Sequence, residues 1–223
     1  MVRVTAPNGS AYCVDSTEVT QQQYSLFFNA MGNQTSGQSS VCAWNSSFAW
    51  GGAGCAVDPA ATPALPMSCV DWCDSAAYCK WAGKHLCGSM GGGAVPTSAA
   101  ADASQSEWYN ACSHGGTRAY PYGSAYSSAC ASGSAHTVGS ATGCEGGFEG
   151  VYDMAGNVWE RENSCDGASG ASDCCPLRGG SYGNVVVGNS LSCATVGDSY
   201  NGACITRSYA GPNVGFRCCS EAL

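Results

Sequence analysis

The chain is short of charge, and of positive charge above all. Only eight of its 223 residues are Lys or Arg, against 16 Asp or Glu; charged residues make up 11% and the formal net charge is −8. Soluble proteins usually carry about a quarter. No cluster of Lys and Arg exists to neutralise phosphates, which speaks against nucleic-acid binding and against docking on anionic membranes. No apolar run reaches the roughly 18 residues that a membrane helix needs. Residues 1–12, MVRVTAPNGSAY, lack the apolar core of a signal peptide, so an exported form would have lost its leader. Paired CxxC motifs at zinc-ribbon spacing are missing, which argues against metal–thiolate sites. Histidine is scarce: His85, His114 and His136 are scattered, with no i, i+4 pair. No Ser/His/Asp arrangement stands out for nucleophilic catalysis.

Cysteine is what the chain has in excess. Seventeen Cys in 223 residues read as a disulfide framework in an exported protein. The odd count leaves at least one Cys unpaired in a monomer. With 44% apolar residues, 31 Gly and 10% aromatics, the chain is loop-rich and globular rather than disordered. Its length suits one large domain or two small ones. No repeat or separating linker is visible, so the simplest organisation is one α+β domain spanning residues 1–223.

Three helices are expected. In TQQQYSLFFNAMG, Thr20 and Gln23 fit a capping box. Tyr24, Phe27, Phe28 and Met31 then follow at helical spacing, and Gly32 ends the run. In DWCDSAAYCKWAG, Asp71 is the N-cap, Trp72, Ala76 and Cys79 share a face, and Gly83 stops the helix. In SQSEWYNACSHGG, Ser104 and Glu107 form a second capping box, Trp108 and Cys112 stack, and Gly115 terminates. Residues 32–68 read as a long surface excursion and 88–103 as an inserted loop. Beyond residue 115 short β-prone runs alternate with turns: TRAYPYG, GVYDM, PLRGGSY and VGFRCC.

FEGVYDMAGNVWERENSC, residues 148–165, places Asp153 and Glu160 around a Gly-Asn turn. Two such carboxylates could hold a hard cation, form an acid/base pair, or cap a solvated turn. Trp159 beside them reads as core. Arg178 and Arg217, next to β-prone segments, read as structural partners of carboxylates or carbonyls.

Taken in order, TEVTQQQY, VDWCDSAAYCKWAGKHLC, SEWYNAC, YPYG, YDMAGNVWE, LRGGSY and NVGFRC resemble the landmarks of the formylglycine-generating enzyme (sulfatase-modifying factor) family, from about residue 13 to residue 219. The resemblance implies a C-type-lectin-like core: a small twisted antiparallel sheet, few helices and much irregular loop, held by calcium and disulfides. It implies calcium at the 153–160 turn, on the side chains of Asp153 and Glu160 and the carbonyls of Gly156 and Val158. Oxygen ligands in a flexible turn suit that ion. A second family calcium site would fall near residues 128–146, where the pattern is broken. Family pairing would join Cys79 to Cys218 and Cys112 to Cys193. Proximity in sequence suggests Cys42–Cys55, Cys73–Cys87 and Cys130–Cys144, with Cys204 as the odd thiol.

Catalytic members of the family hold copper(I) on two cysteines just after the RGGS[YW] strand. Here that strand is Arg178–Tyr182, and the two positions fall near Asn184 and near Val187 or Gly188. Neither is Cys. Amide and apolar side chains cannot replace a thiolate pair. Relatives that use iron need a histidine cluster, and none is present. The expectation is therefore a non-catalytic, calcium-stabilised protein, secreted or at the cell surface and monomeric, that binds a protein, peptide or glycan. The alternative is an atypical enzyme of the family, an oxidase or carbon–sulfur bond former with a non-standard metal site. The stretch 183–213 mixes Asn, Gly, Ser, Tyr and Val, residues suited to adaptable binding. Retroelement-diversified variable proteins built on this fold vary the same stretch. The expected face comprises Asn184, Val186, Asn189, Tyr200, Asn201 and Tyr209.

Overall fold

The computed structural model describes residues 1–130, 132–184, 191–197, 199–200 and 203–222. Helix α1 is Gln21–Met31, capped as its sequence dictates: the Thr20 side chain accepts from the Gln23 amide, and the Gln23 side chain returns to the Thr20 amide. Gly32 stops it at φ +56°, with its N–H on the Phe28 carbonyl. Helix α2, Trp72–Trp81, starts from a reciprocal box of Asp71 and Asp74. Helix α3, Glu107–Ser113, departs from the expected start. Its N-cap is Ser106, whose side chain accepts from the Tyr109 amide. Ser104 instead bonds Asp102, and the Glu107 carboxylate is taken by the Gly88 amide and the His85 ring. These competing donors come from a segment distant in sequence, which local capping rules cannot see.

Strands β1 (Val2–Thr5), β2 (Ala11–Val14), β3 (His85–Leu86) and β10 (Cys218–Glu221) form an antiparallel sheet in the order β1-β2-β10-β3. Strands β4 (Trp159–Arg161), β5 (Leu177–Arg178), β6 (Val196–Gly197) and β9 (Val214–Phe216) form a second sheet in the order β6-β5-β4-β9. Within it β4 and β9 run parallel, the one departure from an antiparallel arrangement. Strands β7 (Ser199–Tyr200) and β8 (Ala203–Cys204) make a small hairpin. The N-terminal strands are absent from the sequence reading; only their alternation of Val4, Tyr12 and Val14, all buried, marks them.

Two apolar clusters carry the fold. One joins α1 and α2 through Tyr24, Phe27, Phe48, Trp72 and Phe216. The other joins α3 to the first sheet through Val4, Tyr12, Val14, Trp108 and Met154. The excursion 32–68 is only partly a surface feature, because Cys42, Phe48 and Met67 are buried in the first cluster. Among the described residues, no helix is long and apolar enough to cross a membrane.

All but one of the Cys are bonded. The pairs are Cys42–Cys73, Cys55–Cys69, Cys79–Cys218, Cys87–Cys219, Cys112–Cys193, Cys130–Cys144, Cys165–Cys175 and Cys174–Cys204. The neighbour pairings Cys42–Cys55 and Cys73–Cys87 are incorrect. The excursion folds back onto the start of α2, which brings Cys42 to Cys73, while pairing of β3 with β10 delivers Cys87 to Cys219. Cys204 is not the odd thiol either; that is Cys13, half-buried in β2 opposite Ser220. Disulfides in this number belong to a protein folded in an oxidising compartment.

The buried acids give a pH dependence. Burial, then the neighbouring Asp71, pushes Asp74 up to about 8, and the hydrogen bond to Glu107 raises His85. Both groups hold protons in the folded state that the unfolded chain releases. Their contributions to stability are therefore full only below the unfolded values of the two groups. They fall as pH rises through the Asp74 window, from about 4 to 8, and through that of His85, upward from about 6.5. Thermal unfolding between pH 5 and 9 should show the melting temperature falling, and Asp74→Asn should flatten the profile. A rising wild-type profile would contradict this account.

Candidate functional site

The turn between Asp153 and Glu160 is shaped by left-handed backbone. Asp153 has φ +58°, Asn157 +51° and Gly156 +86°. A Cβ at Gly156 would overlap the Cys130 carbonyl, so only glycine fits there. Asn157 hooks the turn to the loop before it: its Oδ1 accepts from the His136 amide at 3.1 Å, and its backbone carbonyl accepts from Tyr182 N–H. Asp153 is buried. Its Oδ2 accepts from the Gly139 amide at 2.6 Å, and His136 Nε2 lies 3.5 Å from Oδ1.

Glu160 sits in β4 between β5 and β9, and its carboxylate is heavily engaged. Arg217 donates from Nε at 2.9 and 2.8 Å and from Nη2 at 2.6 Å, and Trp108 Nε1 donates to Oε2 at 2.7 Å. Arg217 also donates to the Asp15 and Tyr152 carbonyls, which ties the N-terminal segment to the turn. Arg178 is likewise interior: it lies 4.8 Å from the Trp108 ring centroid and donates to the Ala100 and Cys193 carbonyls. Both arginines thus serve structure, and Trp159 packs on the cluster of Leu177, Ile205 and Val214.

Glu18, in the TEVT segment, has no role that its sequence context signals. It is 1% exposed, and neither carboxylate oxygen has a hydrogen-bond partner. Burial first, then the charge of Asp153, holds its carboxyl well above the usual carboxylate range. No sequence spacing signals this, because Glu18 is buried only by the pairing of the 15–19 segment with Tyr152, Phe216 and Cys218.

The acids of the turn, Asp153 and Glu160, offer oxygen ligands only, and both already accept hydrogen bonds. That chemistry fits a hard divalent cation such as calcium. Asp153 and Glu160 would hold it with the Gly156 and Val158 carbonyls. The 128–146 stretch offers one carboxylate, Glu145, which accepts from Gly150 N–H. Among the described residues, the one group of three or more potential metal ligands close enough to share an ion is Cys87, Glu107 and Cys219, and its sulfurs are joined to each other, so it is no metal site.

Of the expected binding face, Val186, Asn189 and Asn201 lie outside the described residues. So do the side chains of Asn184, which ends a turn at Tyr182–Asn184, and Tyr200, in β7. The copper positions near Val187 and Gly188 lie outside them too. Tyr209 is half-buried against Leu177, Ile205 and Val214 rather than freely solvent-facing, because the chain turns inward to lead into β9.

The profile of the sulfatase-modifying factor enzyme 1-like domain matches residues 5–222. The chain belongs to this family. Solved structures share the family fold. CarF aligns at a TM-score of 0.59 with 18% identity, over 96% of this chain and 87% of that one. PvdO from Pseudomonas aeruginosa aligns at 0.56 with 19% identity, over 95% and 81%. Treponema denticola variable protein 1 aligns at 0.51 with 18% identity, over 95% and 85%. At these identities the likeness is one of fold. A search of curated proteins finds no match.

Proposed function

We propose that this family member is a non-catalytic, calcium-stabilised binding module of the secreted or surface compartment, which presents residues 183–213 to a protein, peptide or glycan. The observation that carries this reading is the state of the cysteines. The one free thiol, Cys13, lies in β2 of the first sheet, whereas the strand that precedes the family's copper site, β5, is in the second. No thiol pair is left to hold copper(I). The base of the presented stretch is rigid. Cys174–Cys204 anchors it, and Arg207 bonds Asp173 at 3.0 Å while lying 4.3 Å from the Trp72 ring centroid. Such pre-ordering lowers the entropy lost on binding. The shared fold of a protein named as variable supports the same reading of this stretch.

Metal analysis of the purified protein should find calcium without stoichiometric copper or iron; either of those metals would favour the enzymatic alternative. A protein and glycan array identifies the ligand. Against that ligand, Tyr200→Ala should weaken binding by about tenfold or more, with an unchanged melting temperature. Tyr209→Ala should instead lower the melting temperature, because its ring packs on the second sheet. Full binding by Tyr200→Ala would remove this face from the proposal.

A further inference from the structure

Helix α2 turns one face to a hollow that neither the 153–160 turn nor residues 183–213 help to line. Cys73, Ala76, Ala77, Lys80 and Trp81 recur at i, i+3, i+4, i+7 and i+8, so they form one stripe along it. The small side chains of Ala76 and Ala77 leave the space open, and the cavity measures about 560 Å³. Phe27, Phe48 and Trp72, all buried, also line it. Residues 36–39 and Cys42 of the 32–68 excursion make the facing wall. That wall is held in place. The Cys42–Cys73 bond joins it to α2, and Lys80 Nζ donates to the Gly37 carbonyl at 3.1 Å. Gln38 Nε2 donates to the Thr35 and Asn45 carbonyls at 3.1 Å, and Asn45 Nδ2 donates to Asp74 Oδ1 at 2.7 Å. A preformed, mostly apolar cavity of this volume is of the kind that takes a small molecule. Its lining is far smaller than the roughly 800 Å² per partner that a stable protein interface buries.

Charge at the cavity has one sign. No Asp or Glu lines it, and Lys80 is its one charged side chain. The chain's other lysine, Lys84, is paired with Asp15 at 2.6 Å. Lys80 makes no ion pair among the described residues. Beside it Trp81 is 44% exposed, which leaves aromatic surface uncovered at the open side. We propose that this hollow binds a small amphipathic carboxylate. Its apolar body lies against Trp81 and the alanine stripe, and its carboxylate meets Lys80 Nζ. In a chain of net charge −8, an unpaired cation beside an apolar cavity attracts an anion that the rest of the surface repels. The Gly37 carbonyl takes one of the three ammonium donors, so two remain for a ligand. This site is independent of the calcium turn and of the presented stretch.

Calorimetric titration of the whole chain with 2-naphthylacetate, and separately with its neutral amide, tests this. The wild type should bind the acid, and the amide about fivefold more weakly, the factor lost with a solvent-accessible ion pair. Lys80→Gln should bring the acid down to the affinity of the amide and leave the amide unchanged. Lys80 also lies in the last turn of α2, where a cation complements the helix dipole. A purely structural role of that kind would not separate the two probes. Ala77→Leu fills the hollow and should abolish binding of both. Should it fail to fold, Trp81→Ala, at an exposed position, carries the test and should weaken both probes. The proposal is overturned if the wild type binds neither probe or binds both equally. It is also overturned if Lys80→Gln binds the acid as the wild type does, or if the folded cavity variant binds both probes undiminished.

Discussion

Replacing Cys112 and Cys193 together by Ala is expected to lower the unfolding free energy by about 4 kcal/mol, from the loop entropy of a closure of this size. The bond spans 81 residues and joins α3 to the segment after β5. Both sulfurs are buried in the second apolar cluster. The longer Cys79–Cys218 closure, 139 residues, should contribute less when removed alone. Cys87–Cys219 runs beside it, so only the short stretches 79–87 and 218–219 lie between the two bonds. Loop entropy for so short a residual ring is about 3 kcal/mol. Denaturant unfolding under non-oxidising, non-reducing conditions, in a Cys13→Ser background that prevents exchange, gives the order directly. A larger loss for the Cys79/Cys218 double variant would refute the argument from nested loops.

Arg217→Met should be as damaging, at about 3–5 kcal/mol, the range for breaking one side of a buried ion pair. The substitution leaves Glu160 in the interior with Trp108 as its single side-chain donor, and frees the Asp15 and Tyr152 carbonyls. The cost is mainly that of a stranded charge, so the double variant Glu160→Gln/Arg217→Met should be more stable than Arg217→Met alone. Chemical unfolding at one fixed calcium concentration measures both. Additive losses would mean that the pair is not coupled, contrary to its distances of 2.6–2.9 Å.

Local signals were dependable where the chain satisfies its own groups. Thr20 with Gln23 caps α1, Asp71 caps α2, and Gly32 closes the first helix, since each bond joins residues within one helical turn. The start of α3 was misplaced because Glu107 is claimed by His85 and Gly88. Landmark order, rather than any periodicity, indicated the family, and the profile match over residues 5–222 establishes it. Strands β1 and β2 left little trace, being four residues each and paired with one another and with the far end of the chain.

By itself the sequence determined the oxidising-compartment cysteine framework, the helices, the family, and the absence of a thiolate pair after the RGGSY strand. Those properties depend on residue identity and short spacing alone. The tertiary structure decided which cysteines meet, that Cys13 is left over, and that Glu160 belongs to Arg217 and Trp108. It also decided that Glu18 is buried with no hydrogen-bond partner for its carboxylate. Most of these depend on contacts between segments far apart in the chain, such as the 31 residues between Cys42 and Cys73 and the 202 between Asp15 and Arg217. The pairing of the chain's two ends in one sheet delivers Cys87 to Cys219 and brings Arg217 to the Asp15 carbonyl, contacts that no local pattern specifies.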